Sequence, residues 1–256
     1  MNPLLKKIAT KAKPLLEALA AMEAGLAARW ASAAFRRLRE VQWRLAPQPE
    51  HFDHRIDLYH QWQTNRNSLW VERGVFSGLA LKPGGRVLEL ACGDGFAARN
   101  FFSLRSREVI ACDFDPLALA TARRQHAAPN VTYVLADIRT AMPEGEFDNI
   151  VWDAAIEHFT PAEIDQLMRE IARRLGPAGV LSGYTIVERS DGMKSLSHHE
   201  NEFRDKADLM RFFQPYFRSV TVFETIYPDR HNLYFWASRG ALPFAPGWPG
   251  AIHQRG

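Results

Sequence analysis

Two sets of residues in this chain have types and spacings suited to chemistry. In the first, Glu89, Gly93 and Gly95 fall within Val87-Leu88-Glu89-Leu90-Ala91-Cys92-Gly93-Asp94-Gly95. The first four of these residues are mostly apolar and predict a short strand; the glycines predict a turn, and the run from Phe96 has helical apolar spacing. A strand–glycine–helix junction lets backbone approach a nucleotide-like ligand closely and aims helix N–H groups at it. The segment is no Walker loop, since no Gly-Lys-Ser/Thr follows, and Ala98 stands where a full G-x-G-x-x-G has its last glycine. A carboxylate such as Glu89 near the end of a buried strand is costly unless it binds or orients something. Asp113 lies 24 residues beyond Glu89 and ends a second strand-like stretch, Glu108–Asp113. That is close to the place from which a carboxylate takes both hydroxyls of a ribose.

The second set is imidazoles. His158 belongs to Asp153-Ala-Ala-Ile-Glu157-His158-Phe159, just before a helix start at Thr160-Pro161. His198, His199 and Glu200 lie in a long polar loop, and His231 sits between the last two predicted strands. Imidazole titrates near neutral pH, so His158 is a candidate general base, with plain packing an equal alternative. His198, His199 and His231 with Glu200 suit a divalent cation, the activation of a hydroxyl, or the grip on a polar substrate. A solvated polar loop is the competing reading.

Elements alternate in the way needed to position these groups. Strands are predicted at Val87–Leu90, Glu108–Asp113, Val131–Ala136, Glu146–Asp153 and Gly179–Glu188, with helical segments between them. A helix at Ala207–Phe213 and two strands, Ser219–Thr225 and Asn232–Ser238, complete a three-layer α/β sheet. Asp115-Pro116 reads as N-cap and first helical residue. Residues 47–80 read as a helical cover of the candidate ligand site leading into the fold, 81–239 as the domain itself, and 240–256 as a tail. With 46% hydrophobic and 24% charged residues, the chain can bury a proper core.

Residues 1–46 form a basic helical extension. They hold nine basic residues against three acidic ones, a balance of +6; with +3 overall, the remainder carries −3. Such a body argues against a broad nucleic-acid groove. Leu15, Leu19, Met22, Leu26 and Trp30, then Ala34, Leu38, Val41 and Leu45, form an apolar stripe. Pro14 and Gly25 predict two or more helical pieces rather than one rod. The stripe fits packing on the body, a second subunit, or the surface of an anionic membrane. No stretch has the length of a membrane span, no signal-peptide pattern is evident, and Cys92 and Cys112 read as small core residues of a reducing compartment. The expected location is cytoplasmic, with peripheral contact at the inner face of a membrane as a variant.

Glu89-Leu-Ala-Cys-Gly93-Asp-Gly95 resembles the first motif, E/D-x-x-x-G-x-G, of the class I S-adenosylmethionine-dependent methyltransferases. The stretch VIACDFDPLALATAR resembles the second motif of that family, and EFDNIVWD the fourth. The resemblance covers about residues 80–238 and implies a Rossmann-like sheet of order 3-2-1-4-5-7-6. It implies S-adenosyl-L-methionine as cofactor and S-adenosyl-L-homocysteine as product. By the same resemblance Asp113 holds the ribose, Phe114 lies against adenine, and Asp137 and Ile138 serve the adenine edge. Ala91, Gly93 and Gly95 border the cofactor, Asp153 meets its amino group or a metal, and Tyr59 or Arg66, backed by Trp62 and Asn67, reaches its carboxylate. The expected reaction is O-methylation of a polar small molecule or of a sugar or glycan hydroxyl, with His158, His198, His199 and His231 as candidate bases. N-methylation of a small molecule or protein, and a non-catalytic scaffold, are the alternatives. The tetrapeptide (N/D)-P-P-(Y/F/W) of amino-methylating relatives is absent at Asp153-Ala-Ala-Ile.

Overall fold

The computed structural model describes residues 3–45, 58, 61–62, 66–189, 192, 194–195, 198–228, 230–243 and 251–253. An eight-stranded sheet carries the domain. Its strands are β1 (Arg86–Leu90), β2 (Glu108–Asp113), β3 (Val131–Leu135), β4 (Phe147–Asp153), β5 (Leu175–Ile186), β6 (Ser219–Tyr227), β7 (Arg230–Ser238) and β8 (Ala251–His253). They lie in the order β3-β2-β1-β4-β5-β7-β6-β8. The first five run parallel, and β7 is antiparallel to both β5 and β6. The order reverses between β1 and β4, and at such a switch the strand ends part to leave a crevice for a ligand.

Alternation along the strands feeds two helical layers. Leu88, Leu90, Ile150 and Trp152 pack with α6 (Pro161–Arg174) and α7 (Lys206–Phe213) through Ile164, Leu167, Leu209 and Phe213. On the other face Val87, Val109, Ala111 and Val151 meet α3 (Phe96–Asn100) and α4 (Pro116–Gln125) through Ala98, Leu119 and Ala122. A further helix, α2 (Leu69–Leu79), covers β5, β6 and β7, where Phe76 packs on Phe223 and Tyr234. The remaining helices are α1 (Pro3–Leu45) and α5 (Ile138–Ala141). The start of α6 is fixed by a capping box: Thr160 and Glu163 satisfy each other's backbone N–H groups, with Pro161 at the first turn. Gly183 lets β5 run tight against β4, since a Cβ there would lie 1.9 Å from the Trp152 carbonyl oxygen.

Two expectations are corrected. The amino-terminal segment is one continuous helix through Pro14 and Gly25, rather than two or more pieces. An internal glycine costs about 1 kcal/mol and an internal proline about 3 kcal/mol, local costs set against a helix of 43 residues rich in Ala, Leu, Lys and Arg. Its apolar stripe is exposed at Leu15, Leu19, Met22, Leu26, Trp30, Leu38 and Val41. The segment read as a tail contributes β8, which pairs parallel with the free edge of β6. Among the described residues no helix is long and apolar enough to cross a membrane.

Candidate active site

A cavity of about 1020 Å³ opens over the carboxyl ends of β1, β2, β4 and β5. At one end lies the turn after β1. Ala91, Gly93 and Gly95 all have positive φ there, 54°, 55° and 77°. A Cβ on Gly95 would collide with the Tyr133 hydroxyl at 2.4 Å, whereas Gly93 faces open space. Asp113 braces the turn, because its Oδ2 accepts from the Gly93 N–H at 2.8 Å and its Oδ1 from the Asp115 N–H at 2.9 Å. Phe114 follows as an exposed ring on the cavity wall, with Asp137 and Ile138 beyond it. Asp137 caps α5 by accepting from the Arg139 N–H.

The cavity floor is acidic. Glu89 is buried, and one of its oxygens has no hydrogen-bond partner. Burial, then the charges of Asp153, Asp94 and Asp113, push its carboxyl well above the usual range against the opposing pull of Arg73. Asp153 accepts from Arg73 Nε at 2.6 Å through Oδ2, while its Oδ1 is buried without a partner. Burial raises this carboxyl too, despite Arg73. Two buried carboxylate oxygens thus face a cavity with unused accepting capacity.

At the other end three imidazoles converge. His158 closes the 3₁₀ turn Ile156–His158 after β4, and its ring stacks on His198 at 4.8 Å between centroids. His199 stands edge-on to His158, also at 4.8 Å. Glu202 accepts a hydrogen bond from His199 Nδ1, and Lys194 donates to the His199 carbonyl. The loop is tied down where the N–H groups of Glu200 and Asn201 donate to the Glu157 carbonyl at 2.8 and 3.0 Å. Glu157 itself is buried and accepts from the Thr185 hydroxyl at 2.9 Å, and burial raises its carboxyl. Burial also lowers the pKa of His199, against the charge of Glu157.

Most residues singled out in the sequence line this one cavity: Glu89, Ala91, Gly93, Asp113, Phe114, Asp137, Ile138, Asp153, His158, His198 and His199. Others do not. Gly95 supports the turn from behind and forms the amino-terminal cap of α3. Arg66 is exposed and is not among the lining residues, although Asn67 is. His231 is set apart, its Nε2 2.7 Å from Glu224 on the neighbouring strand. Tyr59 lies outside the described residues. Sequence reading missed Arg39, Arg73, Tyr184 and Arg230, all of which line the cavity. None belongs to a local motif, and Arg73 meets Asp153 across 80 residues of chain.

This architecture, a parallel sheet with one antiparallel strand inserted and a glycine turn at its switch point, defines a Rossmann-like methyltransferase fold. Comparisons with known proteins agree. The family model described as a methyltransferase domain matches residues 87–179. An uncharacterized methyltransferase of Synechocystis sp. is 33% identical over 106 residues, covering 41% of this chain and 48% of that protein. The ribosomal protein L11 methyltransferase of Burkholderia lata is 41% identical over 86 residues, 32% of this chain and 25% of that one. This chain therefore spans about half the length of the first curated relative and about a quarter of the second. Among solved structures, the complex of DhpI with S-adenosylhomocysteine aligns with a TM-score of 0.56 at 21% identity, covering 71% of this chain and 90% of that one. The N-methyltransferase NodS of Bradyrhizobium japonicum, solved with S-adenosylhomocysteine, aligns at 0.52 with 14% identity over 79% of this chain and 92% of NodS. Residues 87–179 thus match the methyltransferase-domain model, and the sheet has the same fold as these solved methyltransferase structures.

Proposed function

We propose that this protein transfers a methyl group from S-adenosylmethionine to an oxygen of a polar small molecule or of a sugar or glycan hydroxyl. The observation that carries this reading is the pairing, in one cavity, of an acidic glycine-turn end with an imidazole end. The residues present fit the cofactor. Glu89 and Asp153 each keep a buried oxygen without a partner, which suits a ligand bearing an ammonium group. The Asp113 carboxylate, already oriented by two backbone N–H groups, suits paired ribose hydroxyls, and the exposed ring of Phe114 suits a purine face. Bound there, S-adenosylmethionine supplies a methyl group already activated by the sulfonium charge.

The chain's own contribution is alignment, exclusion of water and removal of a proton. As the new C–O bond forms and the C–S bond breaks, the hydroxyl proton passes to a base beside the acceptor. His158, at the exit of β4, is the imidazole closest in sequence to the cofactor-side residue Asp153 and the first choice for that role. Arg230 adds a cationic grip. Among the described residues it donates to neutral oxygens, Tyr184 Oη at 2.7 Å and Asn232 Oδ1 at 3.0 Å, so its charge suits an oxygen-rich acceptor. Outside the cavity, the exposed stripe of α1 with its basic neighbours supports a peripheral contact with an anionic membrane face or a second copy of the chain.

Isothermal calorimetry with S-adenosylmethionine and S-adenosylhomocysteine, comparing wild type with Asp113→Ala, tests the reading. Micromolar binding that disappears in the variant supports it and opens a screen of hydroxyl-bearing acceptors. A folded wild type that binds neither ligand leaves the scaffold alternative in its place.

A further inference from the structure

We propose that His158, His198 and His199 form a binding site for a divalent transition-metal ion of the zinc class, set at the acceptor end of the cavity. Its catalytic meaning rests on the methyl-transfer reading; its existence does not. One nitrogen from each ring can be chosen so that all three lie within 4.8 Å of one another. Three ligands of a tetrahedral zinc ion, with Zn–N distances of about 2.0–2.1 Å, sit about 3.3 Å apart. Closing the difference requires the exposed His198 ring to turn out of its stack on His158, because two parallel ring planes cannot both aim an in-plane lone pair at one ion.

Three imidazoles gathered at one end of a cavity are also a set of soft nitrogen donors. Stacked imidazoles gain little from one another, and two of these rings could not both carry a proton at these distances without mutual repulsion. The carboxylate in direct contact with the cluster does something more specific than neutralise it. Glu202 accepts from Nδ1 of His199, which fixes the Nδ1–H tautomer and leaves Nε2 with its lone pair. A carboxylate behind one ring nitrogen is the usual way in which a metal-binding histidine is oriented and made more basic. Supports elsewhere are equally firm. His158 is held between the end of β4 and the capped start of α6, and His199 is held by Lys194 and by the backbone bonds to Glu157.

The donor set selects the ion. Imidazole nitrogens suit zinc, cobalt, nickel, copper and iron, whereas magnesium and calcium prefer oxygen shells. Three protein ligands leave a fourth position open, as in zinc sites that bind a water or a substrate oxygen. An acceptor hydroxyl at that position would lose its proton far more readily. His231, the third imidazole of the sequence-based set, is replaced in this arrangement by His158.

The test uses the untagged full chain, stripped with chelator and dialysed. Zn(II) is titrated by calorimetry, and Co(II) serves as an optical probe whose visible bands report tetrahedral nitrogen coordination. Binding of one equivalent, weakened about 100-fold or more in His158→Ala and His199→Ala, supports the site. Glu202→Gln should weaken it by about 10–100-fold without removing it, as expected for a residue that positions a ligand. The exposed ligand variant His198→Ala keeps the test decisive if His199→Ala fails to fold. No stoichiometric binding by wild type, or equal binding by the histidine variants, overturns the proposal. S-adenosylhomocysteine is titrated in parallel. If it binds and zinc does not, the metal site fails alone; if zinc binds and it does not, the methyltransferase reading fails alone.

Discussion

The two ends of the cavity are built in different ways. The glycine-turn end comes from contiguous stretches at the exits of β1 and β2, braced by backbone hydrogen bonds to Asp113. The imidazole end is assembled from the exit of β4, a loop some 40 residues later, and β7. The first is rigid because strand ends and helix starts fix it. The second depends on side chains and on a loop pinned mainly through the Glu157 carbonyl. A cofactor that is constant across a family suits the first design, and a variable acceptor suits the second.

The sharpest way to break this comparison is to remove one anchor from each end. Asp113→Ala deletes the proposed ribose acceptor and frees the Gly93 N–H, so S-adenosylhomocysteine affinity should fall on the order of 100-fold or more, given about 1.5–3 kcal/mol for each hydrogen bond to a charged group. His158→Ala should leave that affinity intact while lowering kcat by about 10²–10⁴. Calorimetry and steady-state kinetics on both variants separate the ends. If His158→Ala weakens cofactor binding as much as Asp113→Ala does, the two ends act as one site and the division is wrong.

A finer division lies within the acceptor end. Arg230→Gln keeps the hydrogen bond to the Tyr184 side and removes the charge, so KM for an acidic or polyhydroxylated acceptor should rise about tenfold, with kcat little changed, from loss of one charge-assisted contact. The readout is KM against kcat for matched charged and neutral acceptors. An equal effect on both classes would show that Arg230 acts by holding Tyr184 and not by meeting the substrate.

Legibility in the sequence follows the same division. Strands such as Glu108–Asp113 are legible because a parallel strand covered on both faces is a short apolar run, and the observed β2 has those bounds. Glu89, Gly93 and Asp113 are legible because their spacing is local to one β-α-β unit. Arg73 and Arg230 are not, because each acquires its place only when α2 or β7 packs against β5. His231 misled for a related reason. A histidine at a strand start near the right sheet edge can point along either face, and here Glu224 captured it on the neighbouring strand. The unbroken α1 was missed because Pro14 reads as a stop wherever the flanking propensity is left out of the balance.

The smallest expected effect concerns the protein without ligand, and it tests whether the rigid end carries a cost. Glu89 has its folded-state pKa raised well above 4.5, first by burial and then by neighbouring carboxylates. A carboxyl whose pKa is raised on folding contributes stability that is complete below the unfolded value and is lost as pH climbs toward the folded one. Wild type should therefore lose melting temperature between about pH 4.5 and neutrality relative to Glu89→Gln, which keeps the shape and cannot ionise. At pH 7 the variant should be the more stable of the two while binding S-adenosylmethionine more weakly, because an acceptor for its ammonium group has lost its charge. Melting curves across that pH range, read as the difference between the two proteins, isolate this group from every other titration. Parallel curves would mean that Glu89 is neutralised in the fold by a neighbour such as Arg73, and the acidic floor would then be a balanced ion-pair network and not a site held in wait for a cation.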